Sequence, residues 1–374
     1  METNLFKILL WKWWRGIDRQ FLIAIGILIF FSVLLVTAAS GSVAARIGVH
    51  EDFFSSRHLV YMVLCVLCIV GVSNLPKESI LKLGVILFAV NIILLILVKF
   101  YGYEIKGARR WINLAGFSVQ PSEFIKPAFA IIVAYIFTTM KNRNLAFFMT
   151  FLIFALVAGL IILQPDLGMV VTIIGIWGAQ TFIAGMPIIW MVCGGLIVCI
   201  GIFIAYNFLP HVAVRINSFL DPESYENYQV SKSLAAFHTG GLFGKGPGEG
   251  VVKSHIPDSH ADFIFAVAGE EYGIVICIFI SLVFAFIVIK TILSIAKKHD
   301  EFSIIVCTGI IGQFGLQSII NMCVALNLLP TKGMTLPFIS YGGSATIGAG
   351  IGAGILLALS KNDVNFIKYD VLNK

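Results

Sequence analysis

HADFIFAVAGEEYGIVICIFISLVFAFIVI, residues 260–289, decides the fold. From Phe263 onward it is apolar apart from Glu270 and Glu271, and it exceeds the ~20 residues that carry a helix across the hydrocarbon of a bilayer. The apolar positions are continuous rather than alternating, which excludes a strand of a membrane barrel. A helix is then the form that satisfies its own backbone inside lipid.

Comparable runs recur outward from this one, near 21–39, 58–74, 80–98, 122–140, 145–163, 167–184, 188–208, 302–326 and 338–360. With 59% hydrophobic and only 12% charged residues, the composition excludes a soluble globular enzyme. The expected architecture is an all-α integral membrane protein: one polytopic domain of about ten transmembrane helices spanning 1–374. No internal repeat is visible, which weakens an inverted-repeat transporter. No nucleic-acid partner is expected.

The basic, Trp-rich segment 1–20 (Lys7, Lys12, Arg15 and Arg19 around Trp11, Trp13 and Trp14) has no cleavage site and reads as an interfacial anchor on the cytoplasmic side. Both termini, including the tail 361–374, are then cytoplasmic, and 209–262 is a large outer loop between helices 7 and 8. A loop of that length containing Phe, Tyr, Leu and a glycine cluster is expected to be ordered against the bundle. All seven cysteines lie in apolar runs and read as buried thiols, without a disulfide framework or zinc site.

Lys and Arg are only weakly biased to the inside, and the exceptions gather outside: Lys99, Lys106, Arg109 and Arg110, then Arg215, Lys232, Lys245 and Lys253, then Lys332. So many cations on one face suit an anionic ligand, although long loops also translocate regardless of their charge.

Taking a carboxylate toward the bilayer costs at least ~2.5–3.5 kcal/mol, so Asp262, Glu270 and Glu271 need a reason. Asp262 follows the turn-forming IPDSHA and starts an apolar run. It suits either a helix N-cap or a general base at the mouth of a membrane cavity. On a continuous helix Glu270 lies ~12 Å further in, and a carboxylate there needs a cation, for which Lys126 is the one mid-helix candidate. GKGPGEG, 244–250, lacks the ending and context of a nucleotide loop and reads as a flexible turn. GARRWINLAGFSVQPSEFIKP, 107–127, joins Arg109 and Arg110, able to hold a phosphate or to anchor at the interface, to a helix started at Pro121. LLPTKGMTLPFISYGGSATIGAG, 328–350, sets Lys332 in a polar hairpin on the face of Asp262 and ends in small residues suited to close helix approach.

The ordered set GARRWI–PSEFIKP, IPDSHADFIFAVAGEEYG and LPTKGMTLPFISYGGS strongly resembles the SEDS family (shape, elongation, division and sporulation) over essentially the whole chain. Thr331-Lys332-Gly333 resembles its division-type branch more than its elongation-type branch. The resemblance implies a peptidoglycan glycosyltransferase that polymerises lipid II on the outer face of the bacterial inner membrane during septal wall synthesis. It places the essential Asp on Asp262, where the usual HTDF reads HADF, so Ala261 is a small departure. The family's basic positions fall on Arg110, Lys126 and Lys332, with Arg109 alongside, as pyrophosphate-binding candidates. Glu270 and Glu271 match its acidic pair, with Gly269 where Ala is common; these two, His260 and Ser340 are expected in support. A divalent cation (Mg or Mn) is an expected helper. A class B penicillin-binding protein, the septal transpeptidase, and other division proteins are implied as partners within membrane lipid. The competing readings are a lipid II flippase and a non-catalytic scaffold for that transpeptidase.

Overall fold

The computed structural model describes residues 11, 13–105, 108–114, 116–208, 212–213, 217, 219, 228–331 and 333–361. Eleven helices are used below: α1 (Arg19–Ile47), α2 (Phe53–Ser73), α3 (Lys77–Tyr101), α4 (Pro121–Thr139), α5 (Arg143–Ile162), α6 (Leu167–Ile183), α7 (Ile188–Phe208), α8 (Tyr228–Gly240), α9 (Ile264–Ile295), α10 (Glu301–Ala325) and α11 (Gly343–Ser360). Among the described residues, nine are long and apolar enough to cross a membrane, and α6 is a tenth apolar helix of 17 residues. Each of the ten apolar runs thus became a helix of a multi-pass membrane bundle. The helical class gains one small addition: β1 (Tyr103–Ile105), β2 (Ala108–Leu114) and β3 (Phe117–Val119) form an antiparallel sheet in the order β1-β2-β3 between α3 and α4.

Packing follows residue size. α4, α10 and α11 are mostly buried at the centre, whereas the apolar window of α7 has no buried residue. The glycine face of α11 lies on α2 and α4: a Cβ at Gly350 would meet Cys65 Sγ at 2.8 Å, and one at Gly348 the carbonyl of Glu123 at 3.0 Å. Small residues there permit a backbone approach that any larger side chain would block. All seven cysteines are free.

The end of the bundle where α1 begins and α11 ends is stitched by ion pairs. Lys77 binds Asp300, Arg143 reaches Glu301 at 2.9 Å and Lys290 lies 3.3 Å from Asp18. Trp13 docks there by donating to Ser73 Oγ at 2.8 Å, while Trp11 and Trp14 stay exposed beneath Arg15 and Arg19. Rings exposed beside guanidinium groups are the composition of an interfacial anchor.

α9 departs from the continuous helix expected of residues 263–289. Gly273 adopts φ 76° and ψ −179° and breaks it into 264–272 and 274–295. The first piece folds back on the second: Cys277 Sγ lies 3.9 Å from the carbonyl oxygen of Phe265, whereas twelve residues of straight helix would separate their backbones by ~18 Å. The backbone groups freed at the break are met by the stretch after α8. Lys245 and Gly246 amides donate to the carbonyls of Glu270 and Glu271 at 2.9 and 3.0 Å. Ile274 and Val275 amides donate to the carbonyls of Gly241 and Leu242 at 2.9 and 3.3 Å. Irregular backbone is tolerated in a membrane bundle where protein buries and pairs it in this way.

Candidate active site

Asp262 sits at the opposite end of the bundle from the start of α1, one residue before the cap of α9. The cap is Phe263, so Asp262 does not start the helix in the manner of an N-cap. Its turn is built on Asp258, whose φ of 54° is a left-handed conformation that aspartate tolerates. The Asp258 carbonyl accepts from the amides of Ala261 and Asp262 at 2.9 and 3.1 Å. Asp262 itself is half-buried, at the edge between protein and solvent.

The segment 333–341 clasps this turn. Ser340 Oγ donates to the carbonyl of Ala261 at 2.6 Å and accepts from the amide of Leu336 at 2.8 Å, and the Tyr341 amide donates to the carbonyl of His260 at 2.9 Å. The His260 ring packs between Phe54 and Tyr341, with centroids at 4.5 and 5.1 Å. Burial, with Tyr61 nearby, pushes the Tyr341 phenol up to about 12 against the opposing charge and hydrogen bond of Arg57. Gly333 (φ 63°) passes so close that a Cβ there would lie 3.4 Å from Asp262 Oδ2. Lys332 lies outside the described residues; its neighbour Gly333 is thus beside the carboxylate.

Glu270 and Glu271 are buried, and their partners correct the expectation that Lys126 pairs with them. Glu270 accepts from the successive amides of Val252 and Lys253 at 2.6 and 2.7 Å, and Glu271 binds the Lys253 ammonium and the Gly248 amide, the latter at 3.1 Å. Because α9 breaks at Gly273, these carboxylates face the stretch between α8 and α9. GKGPGEG, read as a flexible turn, is instead pinned between them and the helix break.

Lys126 has a different partner, Glu123, one turn back on α4. Their side chains are both buried with Nζ 2.6 Å from Oε2, and Nζ also donates to Gln317 Oε1 at 3.1 Å. The pair lines a cavity of about 30 Å³ with Gln313, Gln317 and Thr335. Arg110, on β2, turns to the loop before α6: its guanidinium donates to the carbonyls of Gln164 (3.3 Å) and Pro165 and pairs with Asp166 at 3.6 Å. Arg109, its exposed neighbour, faces Glu104 across the β1–β2 ladder at 3.6 Å.

The structure therefore brings together Asp262, His260, Ser340 and Gly333, and gives Arg110, Lys126 and the Glu270/Glu271 pair three separate sets of partners. Sequence reasoning missed Asp166, Gln317, Asn321 and the partner role of Lys253. Asp166 carried a signal: an Asp before an apolar run is an N-cap pattern, and its carboxylate does cap α6 through the Met169 amide at 3.2 Å. Gln317 and Asn321 sit inside an apolar run and had none beyond being polar. Among the described residues no cluster of three or more His, Cys, Asp or Glu could hold a metal ion.

Comparisons with known proteins give the chain its family. The "Cell cycle protein" family model of FtsW, RodA and SpoVE matches residues 19–365. A probable peptidoglycan glycosyltransferase FtsW of Caulobacter vibrioides is 37% identical over 350 residues, covering 93% of this chain and 90% of its own. The Haemophilus influenzae protein of the same name is 32% identical over 360 residues, with 91% and 90% covered. Among solved structures, a chain of a peptidoglycan synthase complex that coordinates polymerization and crosslinking superposes with a TM-score of 0.78 at 24% identity, covering 92% of this chain and 98% of that one. The rod shape determining protein RodA of Thermus thermophilus superposes at 0.68 and 23% identity, with 93% and 97% covered. The chain belongs to the SEDS family, the FtsW, RodA and SpoVE group of cell cycle proteins.

Proposed function

We propose that this chain is a peptidoglycan glycosyltransferase that polymerises lipid II into β-1,4 glycan strands at the outer face of the bacterial inner membrane, at the division septum. The names of its FtsW relatives support the reaction class. The observation that carries the site is Asp262: a half-buried carboxylate on a turn gripped from several sides, against the segment that bears Lys332.

In this reading Asp262 takes the proton of the acceptor's N-acetylglucosamine 4-hydroxyl. That oxygen forms the bond to the anomeric carbon of the donor's N-acetylmuramic acid, and the bond to polyprenyl pyrophosphate breaks with inversion. Negative charge grows on the leaving pyrophosphate, so preorganised cations aimed at it lower the barrier. Lys332, Arg110 and Arg109 are the candidates to meet it. Lys126, buried and neutralised by Glu123, would act from inside through Gln317 and Thr335. A divalent cation would enter on the substrate's pyrophosphate and neutralise the leaving group, since no cluster of three or more His, Cys, Asp or Glu among the described residues could hold one.

Polymerisation is favoured over lipid II flipping because the FtsW relatives are named for glycosyl transfer and the buried charges are paired with one another, Lys126 with Glu123 and Lys253 with Glu271. The partner proposed is a class B penicillin-binding protein, supported by the likeness to a complex that couples polymerization with crosslinking. The test is glycan synthesis from lipid II by the purified protein with that partner. Asp262→Asn is expected to fold, bind lipid II and make no glycan; wild-type polymerisation by that variant overturns the assignment.

A further inference from the structure

Asn321 lies near the outer end of α10 and is almost fully buried. Its Nδ2 donates to the carbonyl of Asp262 at 2.9 Å and to the carbonyl of Met334 at 2.6 Å. The orientation of the amide is fixed by these partners: turned over, its oxygen would face two carbonyl oxygens. Both amide hydrogens are thus used, one on each of two chain segments.

Those segments are the ones the proposed chemistry must hold in register. One is the turn that presents the Asp262 carboxylate. The other runs through Gly333, beside Asp262 Oδ2, and leads directly to Lys332. Gln317, one helical turn earlier on the same face, donates to the carbonyl of Thr335 at 2.8 Å, so α10 grips two successive residues of that segment. Asn321 alone of the two also grips Asp262.

Asn321 is an expensive way to fill this position. Its Oδ1 is buried without a protein hydrogen-bond partner, and an unsatisfied buried acceptor destabilises the fold. A leucine, with the same branching and no polar atom, would avoid that penalty. What leucine lacks is the pair of directed donors.

We propose that Asn321 is a positioning residue for Asp262, tying its turn to the Met334 segment so that the carboxylate keeps a fixed place beside Gly333. This rests on the reading of Asp262 as the base. Misplacement of a reacting group by ~1 Å lowers rates by ~100-fold, so losing the tie should slow turnover without weakening substrate binding.

The experiment compares wild type, Asn321→Leu, Asn321→Ser and Asp262→Asn, each with the partner transpeptidase. Lipid II polymerisation kinetics, thermal midpoint and amide hydrogen exchange are measured for each. In Asn321→Leu, kcat is expected to fall ~10–100-fold with KM within ~2-fold of wild type. Exchange should quicken at 260–263 and 333–336, and the two carbonyls left without a donor should lower the thermal midpoint while the variant stays folded at the assay temperature. Asn321→Ser, small and still a donor, decides the matter if the leucine variant does not fold: a fall in kcat at constant KM supports the tie. Wild-type kcat in a folded variant, a rise in KM alone, or unchanged exchange in both segments overturns it. Asp262→Asn separates the two claims, since glycan synthesis by that variant defeats the base assignment whatever Asn321 does.

Discussion

Lys126 Nζ stands 2.6 Å from Glu123 Oε2, with both side chains buried in the middle of the bundle. Removing one member of such a pair leaves an uncompensated charge, a loss of ~3–5 kcal/mol, whereas replacing both by neutral groups of similar volume is often close to neutral. Glu123→Gln and Lys126→Met are each expected to lower the thermal midpoint in detergent strongly. The double variant should recover most of the loss. A double variant as unstable as the sum of the two would show that the pair contributes no compensation.

Glu270 and Glu271 hold the stretch between α8 and α9 by the same physics. Glu270→Ala strands the buried amides of Val252 and Lys253, and each lost charge-assisted bond is worth ~1.5–3 kcal/mol. Glu271→Gln removes the partner of the Lys253 ammonium. Both variants are expected to open 241–256 to limited proteolysis below the unfolding temperature, at sites that wild type protects. Equal protection in the variants would remove the clamp.

Two glycines in positive φ separate strain from crowding. At Gly241 (φ 56°) a Cβ meets nothing within 4 Å, so Gly241→Ala carries backbone strain alone, ~1–2 kcal/mol. At Gly273 a Cβ would sit 2.3 Å from the Leu242 carbonyl oxygen and 2.5 Å from the Gly244 nitrogen. Gly273→Ala must therefore displace the loop, and its thermal midpoint should fall well below that of Gly241→Ala. Similar midpoints would contradict the close approach.

Asp300 supplies a pH test at the opposite end. Partial burial alone would raise its carboxyl, but hydrogen bonds from Lys77 and Ser303 and the lysine charge hold it below the ordinary 3.8. A carboxyl lowered by folding stabilises above its unfolded value and ceases to do so as pH falls through the folded one. The pair is partly exposed, so the effect is small, ~0.2–1 kcal/mol. The midpoint gap between wild type and Asp300→Asn is expected at pH 7 and should close as pH falls below about 3.8. A gap that is constant with pH would deny the linkage.

The spans were legible because about twenty continuous apolar residues have one solution in lipid. Asp262 was legible as a polar intrusion after a turn sequence. What the sequence hid are long-range pairings: Lys253 is some eighteen residues from Glu271, and Asn321 fifty-nine from Asp262. No local periodicity encodes these. The break at Gly273 was hidden for a related reason, since one glycine inside an apolar run reads equally as packing or as a left-handed turn until the loop against it is known. The sheet at 103–119 was missed because two of its strands have only three residues and the seven of β2, ARRWINL, do not alternate apolar with polar.

The break also settles a question of thickness. An unbroken α9 of 32 residues would measure ~48 Å against ~30 Å of hydrocarbon. Tilting alone would need ~50°, beyond the 0–40° that spanning helices adopt. Folding back at Gly273 leaves 274–295 to cross, ~33 Å, which a slight tilt accommodates. One glycine thus relieves a hydrophobic mismatch that the bilayer would otherwise have to absorb by deforming around the protein.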